Sequence, residues 1–209
     1  MSTLGRRGLL VLVSGPSGVG KGTIIELIRQ RIPEAVFLLS ETTRKKRKGE
    51  KDGVQYHFVT EQEFKKGVQD GLFLEWAVVH GTEYYGVLRE SVQQNLDANR
   101  LIIREVDVQG VQSIKQILPR EQLLTIFLAP ENESVLLSRI AGREPMTEEE
   151  LARRMESMQR EMAEAANYDY KIINYEGQIE RCYLEVEGII RSAAERRGII
   201  LTGGGGALV

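Results

Sequence analysis

Residues 9–13 read Leu-Leu-Val-Leu-Val and run directly into Ser14-Gly15-Pro16-Ser17-Gly18-Val19-Gly20-Lys21-Gly22-Thr23. An unbroken apolar run of that kind is a strand buried on both faces, the pattern of a parallel sheet. The glycines after it let the backbone turn its N–H groups inward, toward a polyanion. Ile24, Leu27, Ile28 and Ile32 follow at helical spacing and predict a helix over 23–31. Strand, Gly-rich loop and helix in that order form the context a phosphate-binding loop requires, since the helix N-terminus adds its dipole. Gly15, Pro16, Ser17, Gly18, Val19, Gly20, Lys21, Gly22 and Thr23 are therefore assigned to binding the phosphates of a nucleotide, with Lys21 reaching the outer ones. A turn that merely joins strand to helix is the competing reading, and motif and context together weigh against it.

The rest of the chain alternates short apolar runs with helical periods. Strands are predicted at 36–39, 56–59, 101–106, 123–128 and 170–173, and a hairpin over 72–87. Helices are predicted at 61–70, 89–98, 111–118, around 133–140 and at 179–197. Residues 41–53 are polar, basic and aperiodic, hence a loop. Thr60 with Glu63, and Thr147 with Glu150, form capping boxes. Beyond the second, Leu151, Met155, Met158 and Met162 recur at helical spacing, a packing face. Strands alternating with helices predict a doubly wound α/β fold carrying a small antiparallel insert.

Composition narrows the partners. With 209 residues and 42% hydrophobic content the chain can fill one good core. Lys and Arg number 28 against 30 Asp and Glu, a net charge of −2, which excludes a general polyanion binder but not a locally basic cleft. No nucleic-acid partner is expected. Cys182 is the single cysteine, so no internal disulfide forms, and it reads as a small apolar residue on a helix. Residues 9–13 are too few to span a bilayer and no cleavable leader precedes them, so a soluble cytoplasmic protein without a membrane partner is expected.

The segment 40–50 reads Ser-Glu-Thr-Thr-Arg-Lys-Lys-Arg-Lys-Gly-Glu, with Tyr56 shortly after. Five consecutive basic residues alone would read as a solvated loop, a targeting signal or a nucleic-acid patch. The Ser, Gly-Glu and Tyr around them are not needed by any of those. The segment resembles guanylate kinases, which carry a Ser, Thr-Thr-Arg, a second Arg three residues on, Gly-Glu and a Tyr. The resemblance continues at Phe73-Leu74-Glu75-Trp76-Ala77, at Gly81 with Tyr84-Tyr85-Gly86, and at Glu105-Val106-Asp107-Val108-Gln109-Gly110. It resumes at Arg139 to Arg143 and at Tyr168-Asp169-Tyr170, and so covers about 8–190. The Gly-Lys-Gly-Thr ending of the loop resembles adenylate kinases, where the Thr helps hold the Mg²⁺ shell.

The resemblance implies a P-loop core at 8–40, 89–138 and 168–198, a GMP-binding insert at 41–88, a lid at 139–167, and a disordered tail at 199–209. It implies Mg²⁺-dependent, direct in-line transfer of the terminal phosphate of ATP to GMP, and to dGMP, in purine nucleotide metabolism. Arg44 and Arg47 would present guanidinium forks to the acceptor phosphate, and Tyr56 and Tyr85 would add hydroxyls. Glu50 belongs to the same acceptor set. Glu75 would accept from guanine N1–H and the 2-amino group, Ser40 would bond the guanine carbonyl, and Asp107 would lie around the base. Thr23, directly or through water, and Glu105, through water, would hold the metal. Lys21, Arg44, Arg139, Arg143 and Arg154 would meet the charge on the transferring phosphate, and Asn174 the donor's adenine.

Three departures stand beside this. Val87 occupies a position where the family usually has Ser or Thr, whose hydroxyl helps fix guanine; Glu41 and Glu144 add negative charge near the cleft. His57 and His80 are solitary and read as structural, so no covalent intermediate is expected. The rival readings are a same-fold kinase of another phosphorylated acceptor such as a ribose bisphosphate, a catalytically silent interaction module, and a regulatory nucleotide binder. The oligomeric state is open.

Overall fold

The computed structural model describes residues 8–79, 81–132, 136 and 147–202. β1 (Leu9–Ser14) is buried along its whole length. Leu9, Val11 and Val13 enter one apolar cluster with Ile24, Ile28, Tyr183 and Ile190. Leu10 and Leu12 enter another with Val92, Leu96, Val111 and Ile114. A strand with period two can be apolar at every position only where both faces are covered. On the first face lie α1 (Lys21–Arg31) and α6 (Ile179–Glu195); on the second, α3 (Arg89–Asp97) and α4 (Val108–Ile117).

The sheet holding β1 is four-stranded and parallel throughout, in the order β6 (Leu101–Glu105), β1, β7 (Leu123–Pro130), β8 (Tyr170–Asn174). This is the doubly wound α/β core expected from the alternation. Asp169 ties the last two strands together. Its carboxylate accepts from Thr125 N at 2.8 Å and from Thr125 Oγ1 at 2.9 Å, and pairs with Arg120.

The strand predicted at 36–39 is reduced to one bridge. Val36 N donates to Leu101 O and Val36 O accepts from Ile103 N, and the ladder stops there. Phe37 and Leu38 still pack on opposite apolar clusters, so their alternation reports packing without pairing. The loop predicted over 41–53 begins with a two-residue strand, β2 (Glu41–Thr42). It pairs with β3 (His57–Phe58) and with β5 (Glu83–Leu88), and β5 pairs antiparallel with β4 (Phe73–Val79), giving a second sheet ordered β3-β2-β5-β4.

Between β3 and β4 runs α2 (Glu61–Gln69), opened by the predicted capping box. Glu63 N donates to Thr60 Oγ1 at 3.2 Å, and Thr60 N donates to Glu63 Oε2 at 2.7 Å. Leu74 and Val87 carry this insert onto the core, both inside the cluster that holds Leu10 and Leu12. Val87 is fully buried there.

Of the helix predicted around 133–140 only Leu136 is described, helical and buried in the core; the rest of it lies outside the described residues, as do His80 and Glu144. α5 (Glu148–Ala163) follows, with Met158 buried in the core and Met162 packed against it, as the methionine spacing predicted. The tail expected to be disordered from 199 is corrected for its first residues. Ile199 and Leu201 pack on the core, and Thr202 N donates to Glu34 at 2.5 Å. Cys182 is buried on α6, and burial pushes its thiol up to about 11. Among the described residues no helix is long and apolar enough to cross a membrane.

Candidate active site

The loop after β1 takes its shape from two close approaches. Gly15 has φ +142°, and a Cβ there would lie 2.2 Å from Leu128 O on β7. Gly20 has φ +104°, and its Cβ would lie 2.7 Å from the side-chain nitrogen of Asn174. Both positions need a residue without Cβ. Between them Val19 is fully buried and anchors the loop in the core. α1 then begins without a side-chain cap and without an acidic residue in its first turn. Its leading N–H groups are therefore available to an anion, and the helix dipole adds to their pull.

Lys21 folds back over this loop, donating to Gly15 O at 2.7 Å and Pro16 O at 3.2 Å. Burial lowers its pKa, and the nearby Glu105, Glu161 and Asp107 carboxylates oppose that shift. The cleft in front of the loop has a volume of 840 Å³, and Thr23, Tyr85, Glu105, Asp107 and Glu161 all line it. Glu105 ends β6 beside Val13, and Asp107 caps α4 by accepting from Gly110 N at 2.6 Å. Among the described residues no three His, Cys, Asp or Glu side chains gather as a metal cage. Thr23 and Glu105, the residues expected around a metal, both line this cleft with side-chain oxygens of the hard kind that Mg²⁺ takes.

Asn174, expected at the donor's adenine, lies against the phosphate loop. It is 3% exposed and its Nδ2 donates to Val19 O at 2.7 Å, behind the loop. It braces the loop against β8. Asn174→Ala is expected to strand that carbonyl, lowering stability by about 1–3 kcal/mol, and to weaken ATP binding with acceptor binding unchanged. Thermal unfolding and ATP titration check this, and an unaltered unfolding midpoint would rule out the brace.

A second set of residues gathers on the insert. Arg44 is buried, and its Nη2 donates to Glu50 Oε1 at 2.8 Å while Nη1 donates to Lys45 O at 2.9 Å. Glu50 Oε2 accepts from Arg47 N at 2.7 Å, so one carboxylate fixes both ends of the basic turn. The Glu50 carboxyl is held below its ordinary pKa by Arg44, and the Arg44 guanidinium is raised by Glu50. Arg44 also lies 5.4 Å from the ring centroid of Tyr56, which meets Tyr85 edge-on at 5.7 Å. Tyr85 OH donates to Glu83 at 3.1 Å, and burial raises its pKa. Because Tyr85 also lines the phosphate-loop cleft, it joins the two sets of residues. Arg47 keeps an exposed side chain.

Ser40 and Glu75 meet at a third corner, and the residue that joins them is Arg104. Sequence reasoning did not select Arg104, since nothing near it in the chain marks it out. It also passed over Glu161 on α5, whose carboxyl is pushed up by burial and accepts from Ser157 at 3.1 Å. Arg139 and Arg143 lie outside the described residues, and only the backbone of Arg154 within α5 is described.

The family model for guanylate kinase matches residues 7–193. The chain belongs to the guanylate kinase family. The guanylate kinase of Helicobacter pylori is 39% identical over 165 residues, covering 79% of each chain. That of Anaeromyxobacter dehalogenans is 40% identical over 185 residues, 88% of this chain and 80% of the relative. Among solved structures, guanylate kinase from Anaplasma phagocytophilum superposes with a TM-score of 0.66 at 27% identity, over 95% of this chain and all of that one. Guanylate kinase membership gives the Val87 departure a structural sense: the side chain fills the apolar seam between insert and core.

Proposed function

We propose that this chain is an ATP:GMP phosphotransferase, a guanylate kinase that also accepts dGMP, acts with Mg²⁺ and works in the cytoplasm. The observation that carries the reading is that Tyr85 links the loop holding Lys21 to the cluster holding Arg44 along one cleft. Donor and acceptor phosphates bound in those two places would meet beside Tyr85, with no covalent carrier needed. Direct transfer needs that arrangement.

The roles follow from the chemistry of each group. The N–H groups of residues 15–23 bind the donor phosphates, and Lys21 exchanges its loop carbonyls for phosphate oxygens. Thr23 and Glu105 would hold Mg²⁺, which supplies positive charge at the phosphate oxygens. Arg44, aimed by Glu50, holds the acceptor phosphate together with Arg47, Tyr56 and Tyr85. Glu75, Ser40 and Asp107 read the acceptor base. Arg139, Arg143 and Arg154, in a lid at 139–167, bring charge to the transferring phosphate and help exclude water. The acceptor segment and the lid would close over both substrates.

Release of ADP from ATP and Mg²⁺ tests the reading with GMP, dGMP, AMP, CMP, UMP and a ribose bisphosphate as acceptors. Turnover dependent on GMP and dGMP, with little on AMP, is the expected result. ATP binding without GMP-dependent release would discard the acceptor assignment.

A further inference from the structure

Arg104 lies near the end of β6, and Glu75 lies on β4 of the insert. Their side chains are 11% and 10% exposed. Arg104 Nε donates to Glu75 Oε1 at 3.1 Å, and Arg104 Nη2 bonds the same oxygen. Nη2 also reaches Ser40 Oγ at 3.3 Å. One guanidinium thus holds both residues assigned above to the acceptor base. Glu75 Oε2 points the other way, toward the first turn of α4, where a Cβ on Gly110 would lie 3.6 Å from it.

A carboxylate oxygen has two lone pairs, and Oε1 already accepts two guanidinium hydrogens. Guanine offers a parallel pair of donors, N1–H and the 2-amino group. A free carboxylate reads such a pair with one oxygen for each donor. Here Oε1 is occupied, and the cation beside it offsets the charge that would strengthen a further bond. Oε2 remains to read one donor. N1–H is common to every 6-oxopurine, whereas the 2-amino group is peculiar to guanine. Adenine presents an unprotonated N1 and is repelled in either case.

Building on the guanylate kinase reading, we infer that Arg104 is a specificity-determining residue of the acceptor site. By occupying Oε1 of Glu75 it makes the site select 6-oxopurine nucleoside monophosphates through N1–H, without demanding the 2-amino group. The hypoxanthine nucleotide IMP is then a substrate alongside GMP. A site that reads both donors rejects an analogue lacking one by a large factor, since a buried acceptor is left empty. A site whose second acceptor is already filled has nothing to leave empty.

The test compares kcat/KM for GMP and for IMP in the wild type and in Arg104→Met. The wild-type ratio is expected within about tenfold, and Arg104→Met, which frees Oε1, is expected to raise it by about a further tenfold or more. A smaller rise, no change or a fall in the ratio overturns the inference while leaving GMP turnover, and the kinase reading, in place. Absence of wild-type turnover with either nucleotide overturns the kinase reading itself. If Arg104→Met does not fold, Arg104→Lys decides. It keeps the charge but cannot fork, and it should raise the ratio by at least about threefold. A purely structural role for Arg104 would lower both activities together and leave their ratio where it was.

Discussion

Lys21→Met leaves the fold intact and lowers phosphate transfer by about 10³-fold or more. Among the described residues its hydrogen bonds go to the carbonyls of Gly15 and Pro16, so its loss removes no bond on which a strand or helix depends. The unfolding midpoint should stay within about 4 °C of the wild type. What disappears is the one cation that the described loop itself carries, set where charge shifts during transfer. Burial lowers the pKa of that ammonium, and three carboxylates around the cleft counter the shift. A methionine of similar length keeps the packing and removes the charge alone. Single-turnover measurements with ATP and GMP read the effect, and a rate within tenfold of the wild type would remove Lys21 from the mechanism.

Arg44→Leu should cut kcat/KM for the acceptor by about 10²–10³-fold and leave ATP affinity unchanged. Two consequences combine. The acceptor phosphate loses its guanidinium fork, and Glu50 loses its charge partner while Arg47 N still holds it in place, leaving an unneutralised carboxylate beside an anion's place. The double variant Arg44→Leu/Glu50→Gln therefore recovers part of the loss, since it removes the repulsion and leaves the missing fork. If the double variant is no better than the single one, Glu50 acts only as a structural tie. Equal losses for ATP and acceptor would mean that Arg44 holds the whole cleft together and has no private bond to the acceptor.

Much of this was legible in the sequence because it depends on neighbours along the chain. The run at 9–13 declares a strand covered on both faces, and the parity split of its side chains bears that out. The capping box at Thr60 and Glu63 works over three residues and appears as expected. What could not be read depends on distance through space. The Glu75–Arg104 pair joins residues on two different sheets, and no local spacing encodes their meeting. Asn174 illustrates the same limit. Its position in the family pattern drew attention to it, but its brace on Val19 spans most of the chain. Val36 failed differently. Alternating apolar residues predict which side each chain atom packs on, and they do not say whether a neighbouring strand is there to pair with.

The place of β1 also bears on how the chain is made. It is made well before its neighbours: β6 and β7 both lie about a hundred residues further on, and Asn174 comes later still. At ribosomal speeds of about 5–20 residues per second, the earliest and most apolar strand waits on the order of ten seconds for its partners. Throughout that interval Leu-Leu-Val-Leu-Val is an unpaired, sticky ribbon, and the nucleotide loop behind it has no wall to lean on. A nascent chain of this protein should thus be a strong client for holding chaperones, and it becomes able to grip ATP only after Asn174 has been added.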